Sequence, residues 1–256
     1  MARIYCFSGM GNSAAVAARL RELLPDDCAD TVWVMPVYAW GVPPVVVRHL
    51  RAFPPRGERV HMVCTYGDET GNIDRRWLRL LDECGATAGG IYGVWMPNTY
   101  VCLPFFGTDS PELIEHKIAE AEPRIRSIAQ RIAAGSAEID IHRGPLPELK
   151  SRVIYPWFFN RLMKHGKFHA TQTCVGCGRC AELCPVGNIT TDAAGRPQWG
   201  ANCAYCLRCY HVCNHHAVAY GAQTARKGQY LHPDFAKNRK NVDSDFQRDS
   251  IQKAKL

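Results

Sequence analysis

Between positions 1 and 134 the chain alternates short apolar runs with stretches in which apolar residues recur every three or four positions. Strands joined by amphipathic helices give this pattern, so the region reads as α/β with a parallel sheet. The runs 2–7 (ARIYCF), 31–37 (TVWVMPV), 59–65 (RVHMVCT) and 90–95 (GIYGVW) predict strands, and a helix pattern follows each. In the third helix Ile73, Trp77, Leu80, Leu81 and Cys84 share one face, and Gly85 stands where a C-terminal cap belongs. The fourth has Ser110 as N-cap, Pro111 at the first position, a stripe from Ile114 to Ile132, and Gly135 to end it. From residue 143 to 169 the periodicity fails. There Tyr155, Trp157, Phe158, Phe159 and Phe168 are interleaved with Arg152, Arg161, Lys164 and Lys167. Such a stretch can bind nucleic acid or an acidic membrane surface. More often it is a connector whose rings pack against the domains on both sides, and that is the expectation here. After Tyr220 there are eight Lys/Arg, four Asp/Glu and few apolar residues, which predicts a mobile tail. The resulting division is 1–141, 142–169, 170–220 and 221–256.

Composition sharpens this division. The chain has 256 residues, 46% of them hydrophobic, and no run long enough to span a membrane. Its start, MARIYCFSGMGNS, lacks the form of a signal peptide, so a cytoplasmic location is expected. In that setting thirteen cysteines point to metal binding or catalysis rather than to disulfides. The charge is segregated as well. Residues 1–141 hold 14 Lys/Arg against 17 Asp/Glu, a net of −3, so the rest carries +10 of the total +7. A basic half raises the question of nucleic acid, but thiolate-bound clusters are anionic and would lower that excess; no nucleic acid is expected.

Eight of the cysteines form two matching runs. CVGCGRCAELCP sets Cys174, Cys177, Cys180 and Cys184; CAYCLRCYHVCN sets Cys203, Cys206, Cys209 and Cys213, each at the same distance along the chain from its counterpart. This is the C-x₂-C-x₂-C-x₃-C spacing of two-cluster 4Fe–4S ferredoxins, in which the fourth cysteine of each run serves the other cluster. Three thiolates on one tight loop cap three iron corners of a cube, and the fourth ligand must come from outside that loop. One set is therefore Cys174, Cys177, Cys180 and Cys213; the other is Cys203, Cys206, Cys209 and Cys184. Zinc sites would use pairs of ligands or mix in histidine, with no need for a third cysteine two positions on. Asn214 stands where a second proline would follow the run; Asn can instead cap a helix. His211, His215 and His216 crowd this site and read as packing or surface residues.

The first predicted strand runs into Ser8, Gly9, Met10, Gly11, Asn12 and Ser13 and then into a helix. Hydroxyls, unpaired N–H groups and the positive end of a helix dipole there suit a phosphate, although a capped glycine turn looks much the same. Pro36, Val37, Tyr38, Ala39 and Trp40 follow the second strand, and Thr65, Tyr66, Gly67 and Asp68 the third. Both loops leave the carboxyl ends of neighbouring strands, where ligands of open α/β sheets bind.

SGxGNS, PVYxxG and TYG at three strand ends resemble the FMN loops of a flavodoxin. With MPNTY (96–100) and the two-cluster module behind them, residues 2–220 resemble the flavodoxin–ferredoxin fusion family of anaerobic bacteria and archaea. The resemblance implies a doubly wound parallel sheet with FMN, followed by a small α+β domain with two 4Fe–4S clusters. It implies that residues 8–13 hold the FMN phosphate, that Tyr38 and Trp40 pack on the isoalloxazine, and that Thr65, Tyr66, Gly67 and Asp68 line its other edge. Met10 departs from the threonine usual there. A second departure concerns the sheet: only residues 25–30 separate the first helix from TVWVMPV, too short for the edge strand of a flavodoxin. Four strands, or a vestigial fifth, are expected. An electron-transfer role follows, with a redox protein or small molecule as partner. The rival is a flavin-dependent reductase whose substrate is covered by Asn98, Tyr100 and the loop 101–109.

Overall fold

The computed structural model describes residues 2–224 and 226–237. Its N-terminal part is a parallel sheet of β1 (Arg3–Cys6), β2 (Thr31–Pro36), β3 (Arg59–Tyr66), β4 (Thr87–Trp95) and the short β5 (Ile139–Asp140), in sequence order. The four expected strands are present, and β4 starts at Thr87 rather than at Gly90. Gly89 and Gly90 permit this: a Cβ at Gly89 would meet the ring of His61 at 2.7 Å. The small fifth strand lies beside β4, whereas the strand missing from the flavodoxin pattern would lie beside β1.

Helices cover both faces. α2 (Pro44–Ala52) and α3 (Ile73–Glu83) pack on Trp33, Met35, Met62 and Cys64; α1 (Asn12–Leu23) and α4 (Pro111–Ala133) pack on Val32, Val34, Val63 and Tyr92. Adjacent strand residues thus serve opposite cores, as a period of two requires, and both sets are apolar because neither face meets water. The end signals act as anticipated. Ser110 Oγ accepts from Leu113 N–H, and Gly85 and Gly135 take positive φ behind α3 and α4. The strands advance in one direction while α1 lies on the face opposite α2 and α3. The first crossover therefore has the opposite hand to the next two.

Residues 168–220 form a duplicated unit. β6 (Phe168–Ala170) pairs antiparallel with β9 (Val218–Tyr220), and β7 (Ile189–Thr191) with β8 (Pro197–Trp199). The offset that relates the two cysteine runs also carries β6 onto β8, β7 onto β9, and the short helix Arg179–Glu182 onto Arg208–His211. Each small sheet thus takes one strand from either half.

Between the two parts, residues 147–162 wind as alternating α and π turns. Tyr155 donates to the Val42 carbonyl at 2.7 Å beneath the Arg76 guanidinium, while the ring of Phe159 lies 6.4 Å from that of Tyr205. The expectation that this stretch packs against both neighbours holds. The expectation of a mobile tail needs correction for residues 221–237, since Thr224, Tyr230, His232 and Phe235 are buried. His232 N–H donates to the Met10 carbonyl (2.9 Å) and Tyr230 Oη to Asn12 Oδ1 (2.8 Å). The few apolar and ring side chains of this basic stretch are the ones that dock. The rest of the expected tail, 238–256, lies outside the described residues.

Candidate functional site

All thirteen cysteines are free thiols. The two runs have the same backbone: Gly176, Gly178 and Gly187 take positive φ (71°, 72°, 59°), and so do their counterparts Tyr205, Leu207 and His216 (54°, 62°, 48°). The glycines meet this demand freely, whereas three L-residues with side chains hold the left-handed region at a cost, so the loop shape is imposed by something other than local preference. Cys184 Sγ accepts from Asn188 N–H and its counterpart Cys213 Sγ from Ala217 N–H, both at 3.3 Å. The N–H of Tyr205 points at Cys203 Sγ, also at 3.3 Å. Such donors stabilise a thiolate.

The thiols group across the two runs. Cys184, Cys203, Cys206 and Cys209 line one small internal cavity. Burial pushes the Cys203 thiol up to about 12 and Cys209 well above its usual value, and Cys184 is among the neighbours that add to each rise. Cys180 is raised by burial first and then by Cys213 and Cys174. The groups differ in exposure: Cys177 is exposed, while Cys206 and Cys209 are buried. Among the described residues no three His, Cys, Asp or Glu side chains converge as the ligands of a single ion would. A cube of four irons needs its thiols spread over four corners instead.

A cavity of about 330 Å³ lies at the carboxyl ends of β1, β2 and β3, within the range of small-molecule sites. Ser8, Gly9, Met10, Asn12 and Ser13 line it, together with residues 36–40 and 65–68. All but one of the loop residues singled out in the sequence therefore meet here. Gly11 is the exception: at φ 106° it turns from the cavity, and a Cβ on it would meet His232 and Phe235. Asn98 and Tyr100 also line the cavity, as do Leu103 and Phe106 from the loop 101–109.

The loops are tied to one another. Ser13 Oγ and Thr65 Oγ1 are 2.8 Å apart, and Asn12 Nδ2 donates to the Pro97 carbonyl at 2.9 Å. The N–H groups of the first turn of α1 have no intrahelical acceptor and remain the donors for an anion. Ala39 and Trp40 hold positive φ (45° and 64°), fixed by the Tyr38–Gly41 bridge and by the Trp40 indole, which donates to Glu69 at 2.7 Å. A Cβ at Gly67 would overlap Asn98. The Gly67 carbonyl accepts from Trp95 Nε1 (2.6 Å) and from the buried Lys117 ammonium (2.9 Å), which also pairs with Asp109 at 2.7 Å.

The cysteine unit closes the other side. Tyr205, Cys206 and Leu207 line the large cavity, and Cys206 and Leu207 also line the small one, so a single loop separates the two. A Cβ on Gly9 would lie 2.8 Å from the Cys206 carbonyl oxygen. Arg208, 4% exposed, donates to the carbonyls of Gly9 (2.6 Å), Ser8 (2.7 Å) and Leu183 (3.1 Å). Burial pushes Tyr38 well above its usual value, and Cys206 and Cys203 add to this from across the interface. His211 is buried and accepts from Tyr230 N–H on Nδ1, so Nε2 carries the proton and donates to the Thr99 carbonyl at 2.9 Å. Burial pushes its pKa down to about 4, keeping it neutral; it packs, as the sequence suggested, while His215 and His216 are exposed.

Lys117, Arg208 and Tyr230 escaped the sequence reading. Each acts on a partner remote in sequence, and only the lone lysine on the apolar stripe of α4 gave any signal.

Residues 171–190 match the family model of the 4Fe-4S binding domain. Comparison with curated proteins and with solved structures gave no match. The family match implies at least one 4Fe–4S cluster and points to iron–sulfur electron transfer.

Proposed function

We propose that this chain is an electron-transfer protein with two 4Fe–4S clusters in residues 170–220 and FMN in residues 1–141. Cys174, Cys177, Cys180 and Cys213 would hold one cluster and Cys184, Cys203, Cys206 and Cys209 the other. The observation that carries the reading is the pair Cys206 and Leu207, at once a wall of the small cysteine cavity and of the large cavity between the three strand-end loops. When bound, the clusters carry single electrons, and FMN exchanges electrons singly or in pairs.

The chain's own residues do the rest. The start of α1 offers N–H groups to one phosphate; Tyr38 and Trp40 offer ring faces; Lys117 and Trp95 fix the Gly67 carbonyl beside the cavity. The exposed Cys177 loop faces partners in solution, and the buried Cys206 loop faces the cavity. The crossover hands support a flavodoxin origin. In strand order 2-1-3-4-5 with right-handed connections, the first helix lies opposite the connecting helices that follow, as α1 lies opposite α2 and α3 here, while α4 shares the face of α1. Loss of the edge strand leaves the first helix on its face and reverses the apparent hand of the first connection, as seen here.

The test is anaerobic purification with iron, sulfide and flavin analysis. About eight irons and eight sulfides per chain are expected, with FMN bound or taken up on titration. Cys184→Ser should damage the same cluster as Cys206→Ser and spare the one lost in Cys177→Ser. Stoichiometric zinc without iron would refute the cluster reading. Failure of FMN to bind would refute the flavin reading alone.

A further inference from the structure

Nine large apolar side chains are exposed among the described residues, and six of them lie on the two elements that flank the large cavity. Leu146, Leu149, Val153 and Trp157 follow one another at intervals of three and four along the helical stretch 147–162 and just before it, all facing solvent at 48–68% exposure. The opposite face of that stretch, with Ser151 and Tyr155, is buried against the α/β part. Across the cavity, Phe105 is 99% exposed and Phe106 is 42% exposed. Phe105 does not project because its loop is slack. Lys227 Nζ donates to the carbonyls of Leu103 (2.5 Å), Pro104 (3.0 Å) and Phe106, which ties the loop down. Concentrations of exposed apolar surface on a folded chain mark interaction sites.

The charges beside this surface select its occupant. Between positions 145 and 168 Arg152, Arg161, Lys164 and Lys167 are exposed, Arg152 paired with the one acidic residue of the stretch, Glu148, while Lys150 turns inward to Glu69. A surface-lying helix with an apolar stripe that includes Trp, flanked by Lys and Arg, has the form of an interfacial helix seated in the headgroup region. Nucleic acid would use the cations but not the aliphatic stripe or Phe105. No helix among the described residues is long and apolar enough to cross a membrane, so the contact is with a surface.

We propose that the protein docks on anionic lipid bilayers through this face, with the Leu146–Trp157 stripe and Phe105 entering the headgroup layer and the mouth of the large cavity turned toward it. The cavity then takes an apolar reactant from the bilayer rather than from water. The docking surface itself does not depend on which cofactor the cavity holds.

The test is flotation of the full, cluster-loaded chain with phosphatidylcholine vesicles, with and without phosphatidylglycerol. The mixed vesicles should bind at least about tenfold more tightly, with binding weakened by salt. V153S and F105S should each weaken it about tenfold, since each removes an apolar side chain from the contact. R161A/K164A should abolish the preference for phosphatidylglycerol. None of these residues lines the cavity, so iron content and the visible spectrum should not change. No flotation with mixed vesicles, or binding unaffected by F105S and V153S, would overturn the proposal. So would association with a soluble acidic carrier protein in place of vesicles.

Discussion

Removing the guanidinium of Arg208 should uncouple the two halves of the molecule. It joins the helix Arg208–His211 to the first strand-end loop through the carbonyls of Gly9 at 2.6 Å and Ser8 at 2.7 Å, nearly free of solvent. Hydrogen bonds from a charged donor contribute about 1.5–3 kcal/mol each, so the two interfacial bonds together are worth about 3–6 kcal/mol. The variant Arg208→Leu also removes the desolvation cost of a buried cation, which brings the expected loss to the lower end, about 3 kcal/mol. Arg208→Lys should recover only part of it, because one ammonium cannot reproduce a planar fork that reaches three carbonyls. The assay is urea denaturation under anaerobic conditions, followed by cluster absorbance and by far-ultraviolet circular dichroism. In the native chain both signals should change together. In Arg208→Leu the cluster signal should be lost first, splitting one transition into two. Coincident transitions at the native midpoint would refute the idea that this side chain carries the docking energy.

Three further outcomes are expected. Lys117→Met leaves the Asp109 carboxylate buried without its cation, with Asn98 still donating to it, and leaves the Gly67 carbonyl to Trp95 Nε1 alone, which should cost about 3–5 kcal/mol in chemical denaturation. Gly9→Ala puts a methyl 2.8 Å from the backbone oxygen of Cys206, so the interface must shift, at about 1–3 kcal/mol and with weaker cofactor retention measured by dialysis. Burial holds the pKa of His61 below its free value of 6.5 despite the Asp30 carboxylate at 3.0 Å. The unfolded chain therefore takes up the proton first as pH falls, so stability is full above 6.5 and declines below it; Tm against pH should fall less steeply in His61→Gln.

What the sequence disclosed and what it withheld divide along physical lines. The cysteine duplication was legible because a cube dictates close spacing, and the same constant offset proved to govern strands, turns and sulfur hydrogen bonds. The three cavity loops were legible because each ends a strand whose neighbours follow from the order of apolar runs. The caps of α4 were legible because they are local. The seating of the cysteine unit on those loops was not, for it depends on pairs such as Arg208 with Gly9 and His211 with Thr99, far apart in the chain. Composition misled at residues 221–237. A basic stretch with few apolar residues reads as solvated, yet Tyr230 and Phe235 are enough to fix it when a groove receives them.

The exchange of strands between the two halves of residues 168–220 bears on how the protein is made. β6 closes on β9 and β7 on β8, and the cysteine groups cross in the same way, so neither half has a complete sheet or a complete set of thiols of its own. During synthesis β7 can meet β8 early, but β6 stays unpaired until the ribosome has released Val218–Tyr220. Its first run of cysteines must wait, reduced and open, for the second. Closure of the unit is thus a late event, and a chain cut between the halves should be a substrate for proteases rather than a smaller folded unit.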